Sequence, residues 1–394
     1  MDRRYFIKNS SVALLGTAIT KPWPCQNDGS AIQMKYRKLG RTNMRISEIS
    51  LGGSPIPSEA IFRRAIEMGV NYVDTSSSYM NGNSERTIGK IVREYPGKLY
   101  VATKIHAGRR GYTINDVEKE FEGSLKRLNM ECVDILMVHG ARTPDILENE
   151  EVLNLFEKYK REGKIRFTGV SCHRDPVGVL TPAIRSGNYD MITVAFNAFS
   201  GSLVDKDGVY KDYLHRSGIE GVINLAKKHD VGVVAMKTMA GGNRQNLTKF
   251  QKLGISLPQA KLKWVLQNKA VAAAISEMLT FEILEENLAA SASPLTLKEK
   301  LALDHHVTSY YSDYCQMCGQ CLKVCPHHIP IPDILRYALY FQEHRKTSLA
   351  KFKYNQLPVE IKYNNCNQCG LCLKACPSRL SIIKKLHSAH QLLV

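Results

Sequence analysis

The chain lacks four things, and each absence narrows what it can be. No window of its 394 residues is long and apolar enough to cross a bilayer, which argues against a spanning helix and leaves 44% hydrophobic content for a buried core. No dense basic run and no basic stretch interleaved with aromatics occurs, although 54 lysines and arginines stand against 37 acids, a formal net charge of +17. A scattered excess of this kind argues against a nucleic-acid groove and suits solubility or attraction of an acidic redox partner. No Gly-x-Gly-x-x-Gly turn follows the first strand-like run, which disfavours an open doubly wound sheet. No flavin motif is present either.

At the N-terminus, Arg3 and Arg4 precede a short apolar run over 11–19 and then Lys21-Pro22-Trp23-Pro24. An arginine pair, an apolar segment too short to span and then prolines form a signal-like layout. It resembles a twin-arginine export signal, the route of proteins that acquire cofactors before crossing a membrane. Residues 1–33 are therefore expected to be signal and linker, with a periplasmic destination; a vestigial basic tail and a cytoplasmic protein is the alternative. No small-x-small cleavage site follows, and Cys25 lacks the small-residue context of a lipid-attachment cysteine.

From 34 to 292, apolar strand-like runs alternate with amphipathic helical patterns. The runs cover 46–53, 72–76, 99–105, 133–140, 165–172, 191–197, 232–239 and 270–276, with the first helical pattern over 57–68. They are β-branched and apolar on both parities, as strands buried on both faces are. Eight such units predict an α/β fold, a (β/α)8 TIM barrel. Polar residues stand where the runs end: Asp74, Lys104, His139 and Ser171. In such a barrel these ends share one mouth.

Tyr79 follows Asp74 by five residues, in the loop above that mouth. Reducing a carbonyl takes hydride at carbon and a proton at oxygen. A tyrosine can donate the proton when a nearby ammonium, here Lys104, favours its phenolate. Asp74 would orient the lysine, and His139 would hydrogen-bond the carbonyl oxygen.

The opening MKYRKLGRTNMRISEISLGG, the stretches VDTSSSY, VATKI, ILMVHG, GVSCH, FNAFS and AMKTMAGG and the closing EENLAA resemble the aldo-keto reductases over about 34–292. The resemblance implies a catalytic tetrad of Asp74, Tyr79, Lys104 and His139 beside a nicotinamide cofactor. It also implies cofactor contacts from Ser171, Asn197, Met236, Lys237, Glu286 and Asn287. The chain departs from the family pattern at Met236 for a tyrosine, Cys172 for an asparagine and Thr193 for a glutamine. Glu277 and Ile283 stand where basic residues often grip a 2′-phosphate, which favours NADH over NADPH. The same changes leave room for a pocket that holds no nicotinamide.

Eight of the 11 cysteines fall in two runs, CQMCGQCLKVCP from Cys315 and CNQCGLCLKACP from Cys366. Each has the spacing C-x2-C-x2-C-x3-C-P of the bacterial ferredoxin run for a [4Fe-4S] cluster. By the rule for two-cluster ferredoxins, Cys315, Cys318, Cys321 and Cys376 hold one cluster, and Cys366, Cys369, Cys372 and Cys325 the other. Zinc and disulfides are the alternatives, and two complete copies with proline argue against both. A helical pattern between the runs predicts a small, mainly α-helical ferredoxin-like iron-sulfur domain over 293–394. His305, His306, His327 and His328 are expected to be surface or packing residues, and Lys384 and Lys385 a solvated tail.

Together these features predict an oxidoreductase acting on a small carbonyl or alcohol substrate, a sugar-like compound among the candidates, with a redox protein as partner. Hydride moves two electrons and each cluster moves one, so something such as a flavin would have to stand between them. An electron-transfer or redox-sensing protein that uses the barrel as a docking scaffold is the alternative. A Schiff-base role for Lys104 is a remoter one.

Overall fold

The eight strand-like runs pair in parallel and close on themselves. In chain order the strands are Ile49–Gly52, Tyr72–Asp74, Tyr100–Ile105, Val133–Ala141, Ile165–Cys172, Met191–Ala195, Gly232–Met236 and Val271–Ser276. Val271–Ser276 completes the barrel by pairing with Ile49–Gly52, Ala274 opposite Ile49. The alternation of each strand divides the core. Ile135 and Met137 of the fourth strand fill the interior, while Leu136 and Val138 pack outward in the larger apolar core. The computed structural model describes residues 33–394 except 109–110, 174, 201–202, 205–209, 212–217, 241–249, 251–253, 311–312 and 343–345. The arginine pair, the apolar run after it and Cys25 lie outside the described residues, as does most of the loop over 199–217.

The first expected strand, 46–53, is in fact two. Arg45–Ser47 pairs antiparallel with Tyr36–Lys38, and the chain bends at Glu48 before the barrel strand begins. The buried Glu48 carboxylate causes the bend, accepting from Arg37 Nε at 2.7 Å, Ser291 Oγ at 3.1 Å and the Ala292 N–H at 2.7 Å. Arg37 also donates to Leu266 O at 2.8 Å and Val271 O at 3.0 Å, so one guanidinium ties the hairpin to the last barrel unit. Leu39, Met44 and Ile46 then close the floor of the barrel against Tyr72, Met191 and Val234.

Beyond the barrel the chain is helical, as its sequence predicts. Leu297–Tyr310 packs Leu303 and Val307 against Phe199, Leu257 and Ala260, and a buried ion pair joins Lys263 Nζ to Glu299 Oε1 at 2.7 Å. The remaining helices are Gln320–Val324, Ile331–Gln342, Thr347–Asn355, Leu371–Ala375 and Ile382–Leu393. They share a second core built on Ile334, Tyr354, Ile382, Leu386 and Leu393. Lys384 and Lys385 therefore ride on a packed helix rather than a free tail, and Lys385 Nζ meets Asp313 Oδ1 at 3.2 Å. His306 is buried among Phe199, Phe250 and Tyr310, a packing residue as expected. No helix among the described residues is long and apolar enough to cross a membrane.

Candidate active site and cluster sites

The mouth of the barrel brings the four predicted catalytic side chains together. Asp74 is the last residue of the second strand, Lys104 lies one residue from the end of the third, and His139 lies near the end of the fourth. Tyr79 stands in the loop after the second strand, at the start of a short 3-10 segment. The buried Lys104 ammonium donates to Asp74 Oδ1, to Thr75 O at 2.6 Å and to Tyr79 Oη at 3.4 Å. His139 Nδ1 lies 3.0 Å from Ser76 Oγ, and its ring meets Tyr79 edge-on with centroids 5.5 Å apart.

Electrostatics set the protonation states. Burial works against the charge on Lys104, but Asp74 and Tyr79 outweigh it and hold the ammonium above its ordinary value. Burial also raises the Tyr79 phenol, more than Lys104 lowers it, so the expectation of a lowered phenol is reversed. The ammonium is one charge on one side, whereas desolvation penalises the phenolate from all sides. Burial, and after it the Lys104 ammonium, drive His139 well below the usual histidine range, so its ring is neutral.

Sequence reasoning missed His106. It follows the end of the third strand, stacks 4.6 Å from His139, and its Nδ1 lies 2.6 Å from Glu120 Oε1. Its place directly after a strand that already supplies Lys104 was the available signal.

The expected cofactor residues line the rim unevenly. Ser171 Oγ accepts from the Gly140 N–H at 2.8 Å and is register partner to Thr193, placing both on adjacent strands. Asn197 is buried and its Oδ1 accepts from the Phe199 N–H at 3.1 Å. Met236 ends the seventh strand and Lys237 follows with φ +56°. Glu286 accepts from the Ser256 hydroxyl, and Asn287 Nδ2 donates to Ser276 Oγ at 3.0 Å. Asn287 Oδ1 is buried with no hydrogen-bond partner. Buried polar atoms are ordinarily paired, so this rim fits a polar ligand such as a nicotinamide dinucleotide.

The helical domain lies across this mouth. Its contacts reach residues after the first, fifth, sixth and eighth strands. Lys346 Nζ lies 3.4 Å from Ser54 O and 3.0 Å from Glu277 Oε1, Lys323 Nζ lies 3.5 Å from Asp175 Oδ2, and the Tyr314 ring is 4.9 Å from that of Phe199. Tyr340 bears electrostatically on Tyr79, and Arg336 on His139, His173 and Lys237. Burial and Arg336 bring the Lys237 ammonium down to about 7. Glu277, the carboxylate on which a preference for NADH was argued, is thus paired with Lys346, which offsets part of the repulsion behind that argument.

The two cysteine runs fold alike. Met317 and Gln368 adopt φ +58° and +56°, Gly319 and Gly370 +78° and +76°, and His328 and Arg379 +50° and +51°. Each run thus makes two left-handed turns, a five-residue helix and then a third left-handed turn. The thiols fall into two electrostatic groups. Cys321 feels Cys315, Cys318 and Cys376 ahead of Cys372, whereas Cys372 feels Cys366, Cys325 and Cys369. Burial, chiefly, and the thiols of Cys318 and Cys376 push Cys315 up to about 12. The Met317 N–H partly offsets this by donating to its sulfur. Cys315, Cys318, Cys321 and Cys376 line one cavity, and the second run repeats the backbone of the first, so these residues fit iron–sulfur clusters.

The profile of the Aldo/keto reductase family matches residues 54–307, and that of a 4Fe-4S dicluster domain matches residues 308–383. The chain belongs to the aldo/keto reductase family, a family of oxidoreductases, and carries a 4Fe-4S dicluster domain behind its barrel. Uncharacterized oxidoreductase YqkF of Bacillus subtilis is 27% identical over 301 residues, 69% of this chain and 96% of its own. L-galactose dehydrogenase of Arabidopsis thaliana is 26% identical over 308 residues, 70% of this chain and 93% of its own. The aldo-keto reductase from Klebsiella pneumoniae in complex with NADPH superposes with a TM-score of 0.56 at 22% identity, covering 70% of this chain and 96% of that one. At that identity the likeness is one of fold.

Proposed function

We propose that the barrel mouth reduces a small carbonyl compound, or oxidises the corresponding alcohol, with a nicotinamide dinucleotide and with Tyr79 as proton donor. The observation that carries this reading is the buried Lys104 ammonium, bonded at once to Asp74 and Tyr79 beside a neutral His139. Ser171, Asn197, Met236, Glu286 and Asn287 lie on the rim that would hold the dinucleotide, which supplies hydride when bound. Tyr79 keeps its proton on Oη until a carbonyl oxygen takes it, and Lys104 then stabilises the phenolate left behind. Asp74 holds the ammonium in place. With Ser76 Oγ donating to His139 Nδ1, Nε2 carries the ring proton and is free to hydrogen-bond the carbonyl oxygen.

Cys315, Cys318, Cys321 and Cys376 would hold one [4Fe-4S] cluster, and Cys325, Cys366, Cys369 and Cys372 the other. Such clusters supply one-electron exchange with a redox protein, and a flavin on that partner would reconcile single electrons with hydride. The second reading, a docking scaffold with little turnover, draws on the helix Ile331–Gln342 lying over the mouth. Replacement of Tyr79 by Phe separates the two. The proposal expects dinucleotide-dependent carbonyl reduction to fall by about 10²-fold or more, with iron content and visible absorbance unchanged. Undiminished turnover would refute it.

A further inference from the structure

We propose that Arg336, Lys237 and His173 form a seat for an anionic group, a carboxylate or a phosphate, on the carbonyl substrate. This rests on the carbonyl-reducing role proposed above and adds the substrate's chemical class. The seat is built jointly: Arg336 comes from the helix Ile331–Gln342 of the cluster domain, Lys237 follows the seventh barrel strand, and His173 follows the fifth.

Three buried nitrogens carry the argument. Arg336 Nε, Lys237 Nζ and His173 Nδ1 are each buried without a hydrogen-bond partner. Buried polar groups are ordinarily paired, so three unpaired nitrogens from separate elements that act on one another mark a place for an acceptor. They lie close enough to act on one another: Arg336 and Lys237 both bear on His173, Arg336 bears on Lys237, and the His173 ring lies 6.3 Å from that of His139. A carboxylate or phosphate oxygen accepts from all three and offsets their mutual repulsion.

The surrounding charges agree. Lys353 adds a further cation to the field at His139, and Arg142 to that at Lys353 and Tyr337. The facing acids already have partners: Asp74 pairs with Lys104, Glu120 with His106, and Asp333 with Nη2 of Arg336 itself at 2.9 Å. That last bond fixes the guanidinium fork and leaves Nε for a ligand. The arginine side chain is only 15% exposed, so its charge is poorly screened by water.

Position selects the substrate over the diphosphate of the dinucleotide. Arg336 bears on His139 of the tetrad, and its helix neighbour Tyr340 bears on Tyr79. The titratable groups that bear on Lys237 include Arg336 and Asp333 of the overlying helix and the thiols Cys315 and Cys172. The rim expected to hold adenosine, at Glu277 and Asn287, is served by a different cation, Lys346.

The test uses the full-length, anaerobically purified protein with its iron content checked. Kinetics on 4-carboxybenzaldehyde and on its neutral methyl ester are compared in wild type, Arg336→Gln and Arg336→Lys. The proposal expects Arg336→Gln to raise KM for the carboxylate about tenfold or more, to leave the ester within about twofold, and Arg336→Lys to recover part of the loss. Calorimetric titration with inorganic phosphate should show binding to wild type that Arg336→Gln weakens by a similar factor. Equal effects on acid and ester, or a change confined to dinucleotide affinity, would overturn it. Where wild type reduces neither aldehyde, the carbonyl-reducing role is in question, and the phosphate titration still decides the seat: binding lost with Arg336 upholds it, and unaltered or absent binding overturns it.

Discussion

At Tyr79 two opposing influences meet, and the larger sets the pH behaviour of the site. Lys104 lowers the phenol, but burial raises it further, so the proton stays on Oη well past neutrality. His139, driven down by burial and nearby cations, stays neutral in the same range. The acid must be protonated for reduction, so kcat should stay level from about pH 6 to 9 and fall only as pH rises through the raised phenol value. A pH–rate profile with an inflection near the ordinary histidine value, about 6.5, would contradict this. Asp74, Lys104 and His139 were legible because each stands at or near the end of a strand-like run, and such ends converge in a barrel. The raised phenol was not legible, because burial at a mouth depends on what covers it.

Among elements, the cysteine runs were read from spacing alone, since short spacers bend the chain around a cluster whatever surrounds it. The matched left-handed turns at Met317 and Gln368 and the two electrostatic groups of thiols agree with an exchange of the fourth ligand. The exchange has a distinctive consequence. Cys325→Ser and Cys366→Ser should each lower iron from about eight to about four per chain, and the double variant should lose no more than either. Iron near zero in the double variant would place Cys325 with Cys315 instead. The barrel floor was less legible. Alternation continued through Glu48, and only the distant Arg37, Ser291 and Ala292 contacts reveal why the strand breaks there.

For the whole molecule, the strand–helix rhythm and the double cysteine run predicted a barrel followed by a helical cluster domain, and these are what the chain forms. Their docking could not be predicted. Arg336, Tyr340 and Lys346 belong to the later domain, and no local pattern tells that they reach His139, Tyr79 and Glu277. That docking covers the mouth, and it is why nicotinamide access is the central question. An anaerobic titration with NADH and then NADPH, following nucleotide fluorescence together with cluster absorbance, answers it most directly. The account predicts saturable binding of at least one nucleotide at one per chain, with oxidation of the bound nucleotide when a carbonyl compound is added. Failure of both nucleotides to bind would contradict it and leave the barrel as a scaffold for the clusters.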